Sequence, residues 1–237
     1  MNEPQDHRLR RSFTDWALEQ LQADPLFHRK IVFSDEAHFW LNGFVNKQNC
    51  RIWSDTNPEE ILQTQLYSEK CTVWCGLHTG GLIGPYFFKN EAGVNVTVNG
   101  ERYRTMINEY FFRNMDGIDP DEMWMQQDGA TCHTANETIE LLQTRFGDKL
   151  ISRNGLVNWP PRSCDLTPLD YFLWGYAKSL VYANNPATLE ALEANIVRVI
   201  QDIRPPLLEK VTQNWSDRML FVRNSRGGHM PQIIFKY

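Results

Sequence analysis

Three aspartates, Asp35, Asp128 and Asp170, are the residues whose type and position could do chemistry together. Each lies where a predicted strand ends or a predicted helix begins, so its side chain can leave the core while the backbone stays rigidly held. Carboxylates on separate elements can chelate a pair of hard ions such as Mg²⁺ or Mn²⁺, which prefer oxygen ligands. Two such ions, roughly 3.5–4 Å apart, activate a water or a 3′-hydroxyl and stabilise the leaving oxygen of a phosphodiester. The alternative is that these aspartates only cap helices and end strands.

Two strands and one helix are predicted to position the acids. Residues 30–36 and 123–127 are short apolar runs of the kind buried on both faces of a sheet, and each has an acid at or next to its C-terminal end. Thr167 and Pro168 suit the N-cap and the first position of a helix in which Asp170 is the third residue. The first turn of that helix would hold the Asp170 carboxylate near the positive end of the helix dipole.

The rest of the pattern predicts a mixed α/β sheet with helices on its faces, because strands come first, then strands mixed with helices, then helices. The polar, irregular residues from about 42 to 70 interrupt this pattern. The other predicted elements are helix 12–23 with Thr14 as N-cap, strand 38–41 before a turn at Asn42-Gly43, two strands hinged at Gly80-Gly81, helix 101–115, a helix with a capping box at Thr134–Glu137 that stops at Gly147, strand 150–151, and helices 188–203 and 207–222.

Composition predicts one large, soluble, intracellular domain. Of the 237 residues, 42% are hydrophobic and 12% aromatic, so a sizeable core can form. The mean hydropathy is -0.48, no apolar run is long enough to span a membrane, and the polar start has no apolar signal core. A net charge of -5 disfavours a free-standing nucleic-acid binder but does not exclude an enzyme that needs acidic metal ligands and has its main DNA-binding module elsewhere. We expect local basic charge near the C-terminus, at Arg218, Arg223, Arg226 and Lys236.

The five cysteines are odd in number and form no CxxC pair, so we expect reduced thiols. A zinc site that begins with Cys71, Cys75 and His78 is the alternative. We favour a strand here, because the stretch CTVWCGLH has the residue types of a buried strand.

Three sequence motifs surround the acids: FSDEAHF around Asp35, QQDGATCHTA around Asp128, and WPPRSCDLTPLDYFLWG around Asp170. They closely resemble, in the same order and at similar intervals, the three catalytic motifs of mariner-type DNA transposases. The resemblance covers about residues 12–223. Three motifs in the right order are a far more specific signal than any one of them alone.

The resemblance implies an RNase H-like fold, a mixed sheet of about five strands flanked by helices, shared with retroviral integrases. It implies that Asp35, Asp128 and Asp170 are catalytic and bind two Mg²⁺ or Mn²⁺ ions. Cleavage and strand transfer on double-stranded DNA, at transposon ends and target, would follow, in the nucleus. Residues 1–237 would form one domain with a clamp-like insertion at about 42–70 that mediates a homodimer. The helix-turn-helix domains that recognise transposon ends in the family are missing from the sequence.

Asp165 competes with Asp170 for the third position, because it lies in the loop just before the same helix. Matching the motifs favours Asp170, since the third acid of the family follows a Thr-Pro-x sequence. Asp165 would then hydrogen-bond backbone amides nearby. The sequence also departs from the family at Cys164, where proline is frequent; a small apolar residue should do little harm there.

Other residues near the acids have two interpretations each. Arg162 and Ser163 precede the third acid and could hold a phosphate or simply shape the loop. His133 follows Asp128 by five residues, near a helix start, and could approach the site or be structural. Glu36 should point away from Asp35, because neighbouring residues of a strand alternate between its faces.

Two other functions stay open. The chain could be a transposase-derived regulator that binds DNA or protein without cutting. It could also be a cellular RNase H-type nuclease, which the residues at 42–70 and the LTPLDYFLWG sequence disfavour.

Overall fold

A five-stranded mixed sheet forms the centre of the protein in the computed structural model, which describes residues 3–43 and 69–230. The strand order is β3-β2-β1-β4-β5, with β1 antiparallel to β2, β2 antiparallel to β3, and β4 parallel to both β1 and β5. This confirms the predicted mixed sheet. The strands are β1 (Ile31–Trp40), β2 (Lys70–His78), β3 (Gly81–Phe87), β4 (Trp124–Gln126) and β5 (Leu150–Ile151).

Helices cover both faces of the sheet. The larger core joins α1, α5, α6 and α7 to one face, and the smaller core joins α2 and α4 to the other. The α-helices are α1 (Glu3–Ala23), α2 (Gly100–Met106), α3 (Thr131–Thr134), α4 (Asn136–Phe146), α5 (Trp174–Val181), α6 (Leu189–Gln201) and α7 (Pro205–Asn224). Two π-helical turns, Ile107–Phe111 after α2 and Leu169–Leu173 before α5, and two 3₁₀ turns, Phe27–Lys30 and Cys164–Leu166, complete the described elements. None of these helices is long and apolar enough to cross a membrane.

Strand β1 is buried on both faces and sends alternate side chains to the two cores. Phe33 and Phe39 belong to the larger core, whereas Val32 belongs to the smaller one. By this alternation Asp35 points to the side of the larger core and Glu36 to the other side, as predicted. The prediction of two separate strands, at 30–36 and 38–41, is wrong. Strand β1 is continuous and pairs with β2 from Phe33 to Trp40.

The first helix begins nine residues before the predicted start at residue 12. Thr14 is therefore not an N-cap: it lies within α1, and its hydroxyl donates to the Arg11 carbonyl at 3.0 Å. The predicted end before Asp24-Pro25 is confirmed. The start was missed because the inner face of the early turns carries the charged residues Asp6 and Arg10, so it has no apolar periodicity.

The predicted capping box at Thr134–Glu137 is also wrong. Thr134 ends the single turn of α3, and α4 begins at Asn136 without a side-chain cap. The Thr138 hydroxyl instead donates to the Cys132 carbonyl at 2.8 Å, which joins the two short helices. The stop at Gly147 is confirmed: its amide donates to the Gln143 carbonyl and its φ is 55°.

Cys71 and Cys75 are buried free thiols in β2, as expected for a strand. Arg218, part of the locally basic C-terminal stretch, is 1% exposed, and its guanidinium lies 3.8 Å from the centroid of the Tyr171 ring. Most of the predicted insertion at 42–70 lies outside the described residues, which leave out 44–68. Its clamp-like role stays a prediction.

Candidate active site

Asp35 and Asp128 emerge from adjacent parallel strands. Phe33 of β1 pairs with Gln126 of β4, and each acid follows its paired residue by two positions. Neighbouring strands are about 4.8 Å apart, so the two acids lie at the same edge of the sheet. The Ser34 hydroxyl ties the strands together at this point by donating to the Gln126 carbonyl at 2.9 Å.

Asp170 approaches this edge from the π-helical turn Leu169–Leu173. The turn has no side-chain cap, so the predicted capping by Thr167 is wrong. Thr167 uses its carbonyl, which accepts from the amides of Asp170 and Tyr171 at 3.2 and 3.1 Å, to start the turn. Asp170 and Asp128 line one cleft of about 430 Å³.

The three carboxylates affect one another electrostatically. Burial, followed by the charges of Asp170, Glu36 and Asp128, raises the pKa of Asp35 well above its ordinary value. Burial and the charge of Asp128 raise the pKa of Asp170 to about 7, although Lys178 acts in the opposite direction. The three predicted acids therefore lie near enough to one another for their charges to interact.

The indole of Trp174 holds Asp35 in place, since its Nε1 donates to Oδ2 of the carboxylate at 2.8 Å. Trp174 comes four residues after Asp170, so one helical segment both carries the third acid and orients the first. Trp174 was not among the predicted site residues. Its signal was the spacing of an aspartate and a tryptophan within the DYFLW sequence.

His133 holds Asp128 from the other side. Its Nδ1 lies 2.5 Å from Oδ1 of Asp128, and its Nε2 lies 3.2 Å from Oε1 of Glu36. The ring is fully buried and packs on Tyr103, with the two ring centroids 4.4 Å apart. His133 therefore links the acid that follows β4 to Glu36, on the opposite face of β1 from Asp35.

The contacts of His133 with Asp128 and Glu36 shift the pKa values of His133 and Asp128. Burial would lower the pKa of His133, but Tyr103, Glu36 and the hydrogen bond with Asp128 together raise it well above its ordinary value. Burial would raise the pKa of Asp128, but the hydrogen bond and charge of His133 and the Ala130 amide outweigh it, so the pKa is lowered. Asp128 is thus stabilised as a carboxylate by a neighbouring imidazolium.

Asp165 has a different partner from the three acids. Its two carboxylate oxygens accept from Nη1 and Nη2 of Arg10 at 2.8 and 2.7 Å, and Oδ2 also accepts from the Met230 amide at 3.1 Å. Arg10 is 0% exposed and Asp165 is 4% exposed. The Asp165 carboxylate is therefore engaged in a buried structural ion pair, and the geometry favours Asp170 as the third acid.

The two residues before Cys164 differ in their availability. The Ser163 hydroxyl accepts from Arg10 at 2.8 Å and donates to the Pro161 carbonyl at 3.1 Å, so it shapes the loop. Arg162 lines the cleft and forms an ion pair with Asp6 of α1. The remaining lining residues that carry charge are Asp128, Arg153 and Asp170.

The donor set fits Mg²⁺ or Mn²⁺, because it consists of three carboxylates and contains no thiolate that would favour a softer ion. As placed, no group of three or more His, Cys, Asp or Glu side chains within residues 3–43 and 69–230 is close enough together to hold a metal ion. The assignment of Asp35, Asp128 and Asp170 as metal ligands therefore stays a prediction.

Comparison with known proteins identifies relatives of the chain. No protein-family model matches it. The Tc3 transposable-element transposase of Caenorhabditis elegans is 25% identical over 203 residues, which is 84% of this chain and 56% of the relative. The chain is related to the catalytic domain of the Tc1/mariner transposases.

Solved structures of the Mos1 mariner transposase have the same fold. Its catalytic domain matches with a TM-score of 0.71 and 18% identity, over 97% of both chains. Its paired-end complex with the left transposon end matches with a TM-score of 0.74 and 18% identity, over 96% of this chain and 63% of that one. The sheet and its flanking helices thus have the RNase H-like fold of the Mos1 catalytic domain. The chain spans less than two thirds of the Tc3 transposase and of the Mos1 chain in that complex.

Proposed function

We propose that this transposase relative is a metal-dependent enzyme that cleaves DNA strands and joins them to a target. The observation that carries the proposal is that Asp35, Asp128 and Asp170 lie near one another at one edge of the sheet, with Asp128 and Asp170 lining an open cleft. The similar proteins also support the proposal. The Tc3 protein is named a transposase, and the Mos1 structures include a strand-transfer complex and catalytic domains with Mg or Mn.

All three acids would bind the metal ions. Bound there, two divalent ions would supply an activated water or 3′-hydroxyl and would stabilise the leaving oxygen. Trp174 fixes the direction of the Asp35 carboxylate, and His133 keeps Asp128 ionised and oriented. Asp170 has no side-chain hydrogen bond within the described residues, so its carboxylate is free to turn toward a cation in the cleft.

Double-stranded DNA is the proposed substrate, as transposon ends and as target, with the nucleus as the proposed location. Mos1 transposase has been solved in paired-end complexes with transposon DNA. For this chain we also propose a homodimer that forms through residues 42–70. Deleting about residues 45–68 and measuring the mass in solution tests the dimer: the deletion should yield a monomer, and an unchanged mass would contradict the proposed role.

A nicking assay tests the activity and separates it from its two alternatives. The chain is incubated with Mn²⁺ and either supercoiled plasmid DNA or an RNA–DNA hybrid. We expect nicking of the plasmid, lost in Asp128→Asn and kept in the control Asp148→Asn, an exposed acid between α4 and β5. Cutting of the hybrid alone would indicate an RNase H-type nuclease. Plasmid binding without any cutting would indicate a regulator and overturn the proposal.

A further inference from the structure

Two basic side chains lie beside the three acids without an ion-pair partner among the residues that the structure describes. They are Arg153, which follows β5, and Lys178 of α5. The other basic residue at the cleft, Arg162, is already paired with Asp6. An unpaired cation beside a cluster of carboxylates suits a phosphate-bearing ligand, which the carboxylates alone would repel.

Arg153 lies next to Asp128. A Cβ atom built on Gly129, the residue after Asp128, would be 3.2 Å from Cδ of Arg153 and 3.9 Å from its Nη1. Gly129 therefore leaves the space over which the arginine side chain lies. Arg153 is exposed and lines the same cleft as Asp128 and Asp170, so its guanidinium is available to a ligand in that cleft.

Lys178 lies on the β1 side of the three acids. It follows Trp174 by four residues on one helix, and Trp174 bonds Asp35. Its Nζ is 5.5 Å from the ring centroid of Phe39, four residues beyond Asp35 on the same face of β1. The charges of Asp170 and Asp35 favour the protonated lysine against the effect of burial, which lowers its pKa. Lys178 is thus close enough to the acids to act with them.

The three acids therefore lie between a cation on the β5 side and a cation on the β1 side. We propose that Arg153 and Lys178 bind backbone phosphates of one DNA strand on either side of the bond at which Asp35, Asp128 and Asp170 act. This inference rests on the proposed function, since it defines how the substrate strand crosses that site. The guanidinium and the ammonium would position the strand, and neither would take part in proton transfer.

Binding of a short fluorescein-labelled DNA duplex, with Ca²⁺ in place of Mn²⁺, tests the inference. The variants are Arg153→Gln, Lys178→Gln and the double substitution. The matched controls are Arg198→Gln on α6 and Lys210→Gln on α7, exposed residues with no ion-pair partner in the described part and no place in the cleft. Each lost phosphate contact should reduce the slope of log K against log salt by about 0.9, so the double variant should lose about twice as much as a single one.

Unchanged slopes in the double variant, equal losses in the controls, or no binding by the parent chain even at low salt would each overturn the inference. The charge-keeping variants Arg153→Lys and Lys178→Arg should retain most of the parent slope, which a role in packing alone would not predict. Melting temperatures measured in parallel identify any variant that fails to fold.

The nicking assay distinguishes this inference from the proposed function. If the parent chain never nicks DNA but the slopes change as expected, the proposed activity fails and the strand path stands. If the parent chain nicks DNA in Mn²⁺ while the slopes of the variants match the controls, the strand path fails and the activity stands.

Discussion

At the residue scale, the three acids differ in what holds them. Asp35 accepts from an indole, Asp128 from an imidazole and a backbone amide, whereas the Asp170 carboxylate has no hydrogen-bond partner within the described residues. Because the Asp170 carboxylate accepts no hydrogen bond there, it depends most on a bound cation to offset the repulsion from the neighbouring carboxylates. Asp165, with both oxygens bonded to Arg10, needs no such ion. This contrast separates a candidate ligand from a structural acid five positions away.

Substitution of these two acids should have opposite effects. Asp170→Asn should abolish Mn²⁺-dependent plasmid nicking while the melting temperature stays unchanged or rises slightly, because it removes one of several repelling carboxylates. Asp165→Asn should keep nicking below its melting temperature but destabilise the fold, because breaking a buried ion pair costs about 3–5 kcal/mol. Nicking and thermal unfolding of both variants check this. A dead Asp165→Asn beside an active Asp170→Asn would reverse the assignment.

His133 is a positioning residue whose effect should appear in metal affinity. His133→Gln should weaken Mn²⁺ binding by about 10–100-fold, the usual cost of losing the partner of a ligand. His38→Gln is the matched control, since His38 is exposed and bonds only Thr72 among the described residues. Calorimetric titration with Mn²⁺, without DNA, measures the affinity directly. Equal affinities in the two variants would show that His133 only fills the core.

At the element scale, α1 contacts both the loop that lines the cleft and the turn near the C-terminal end of the described chain. Arg10 bonds Asp165 and Ser163 of the loop before the third acid, and its Nε donates to the carbonyl of Gly227 at 3.0 Å. Asp6 pairs with Arg162 one turn earlier. One helix therefore holds the wall of the cleft and the turn after α7 in a fixed arrangement.

Gly227 is the position where this arrangement tolerates no side chain. Its φ is 90°, and an added Cβ would be 2.0 Å from the His7 carbonyl oxygen of α1. Gly227→Ala should force α1 away from the turn after α7 and destabilise the fold by an exceptional amount, about 4 kcal/mol or more. Urea unfolding measures the loss.

Gly117→Ala is the control for backbone strain alone, because its φ is 75° and nothing lies within 4 Å of the added Cβ. It should cost about 1–2 kcal/mol. Similar losses of unfolding free energy in Gly227→Ala and Gly117→Ala would mean that α1 can shift at little cost and does not hold the cleft wall.

What the sequence predicts at this scale depends on the kind of pattern each element carries. The apolar run before Asp35 predicted the first half of β1, and the run that ends at Asp128 predicted β4. The assignment of the three acids came from the motifs and stays a prediction. The early turns of α1 were not predicted, because Asp6 and Arg10 are buried as charged, paired residues and apolar periodicity does not reveal such residues. The roles that we propose for His133 and Lys178 depend on which strand and helix lie side by side, and only the fold shows that.

At the scale of the whole molecule, net charge and its placement set the affinity for DNA. The chain carries a net charge of -5, and two of its arginines, Arg10 and Arg218, are buried in structural contacts. Only exposed cations can release counterions from a phosphate backbone. Two arginines line the cleft, and one of them, Arg162, is paired with Asp6. The cations near the acids that have no ion-pair partner in the described part are Arg153 in the cleft and Lys178 near Asp35 and Asp170, beside carboxylates that repel phosphate until metal binds.

These 237 residues should therefore bind duplex DNA weakly and with little sequence preference. A dissociation constant of roughly 10⁻⁴–10⁻⁶ M at physiological salt is the range of non-specific binding. Divalent metal should strengthen binding, because it neutralises the three carboxylates that face the strand. Titration of labelled duplexes of unrelated sequence, with and without Ca²⁺, measures both effects, and Asp35→Asn should make binding less dependent on metal. Tight binding to one sequence at physiological salt would mean that these residues contain a base-reading surface beyond the cleft.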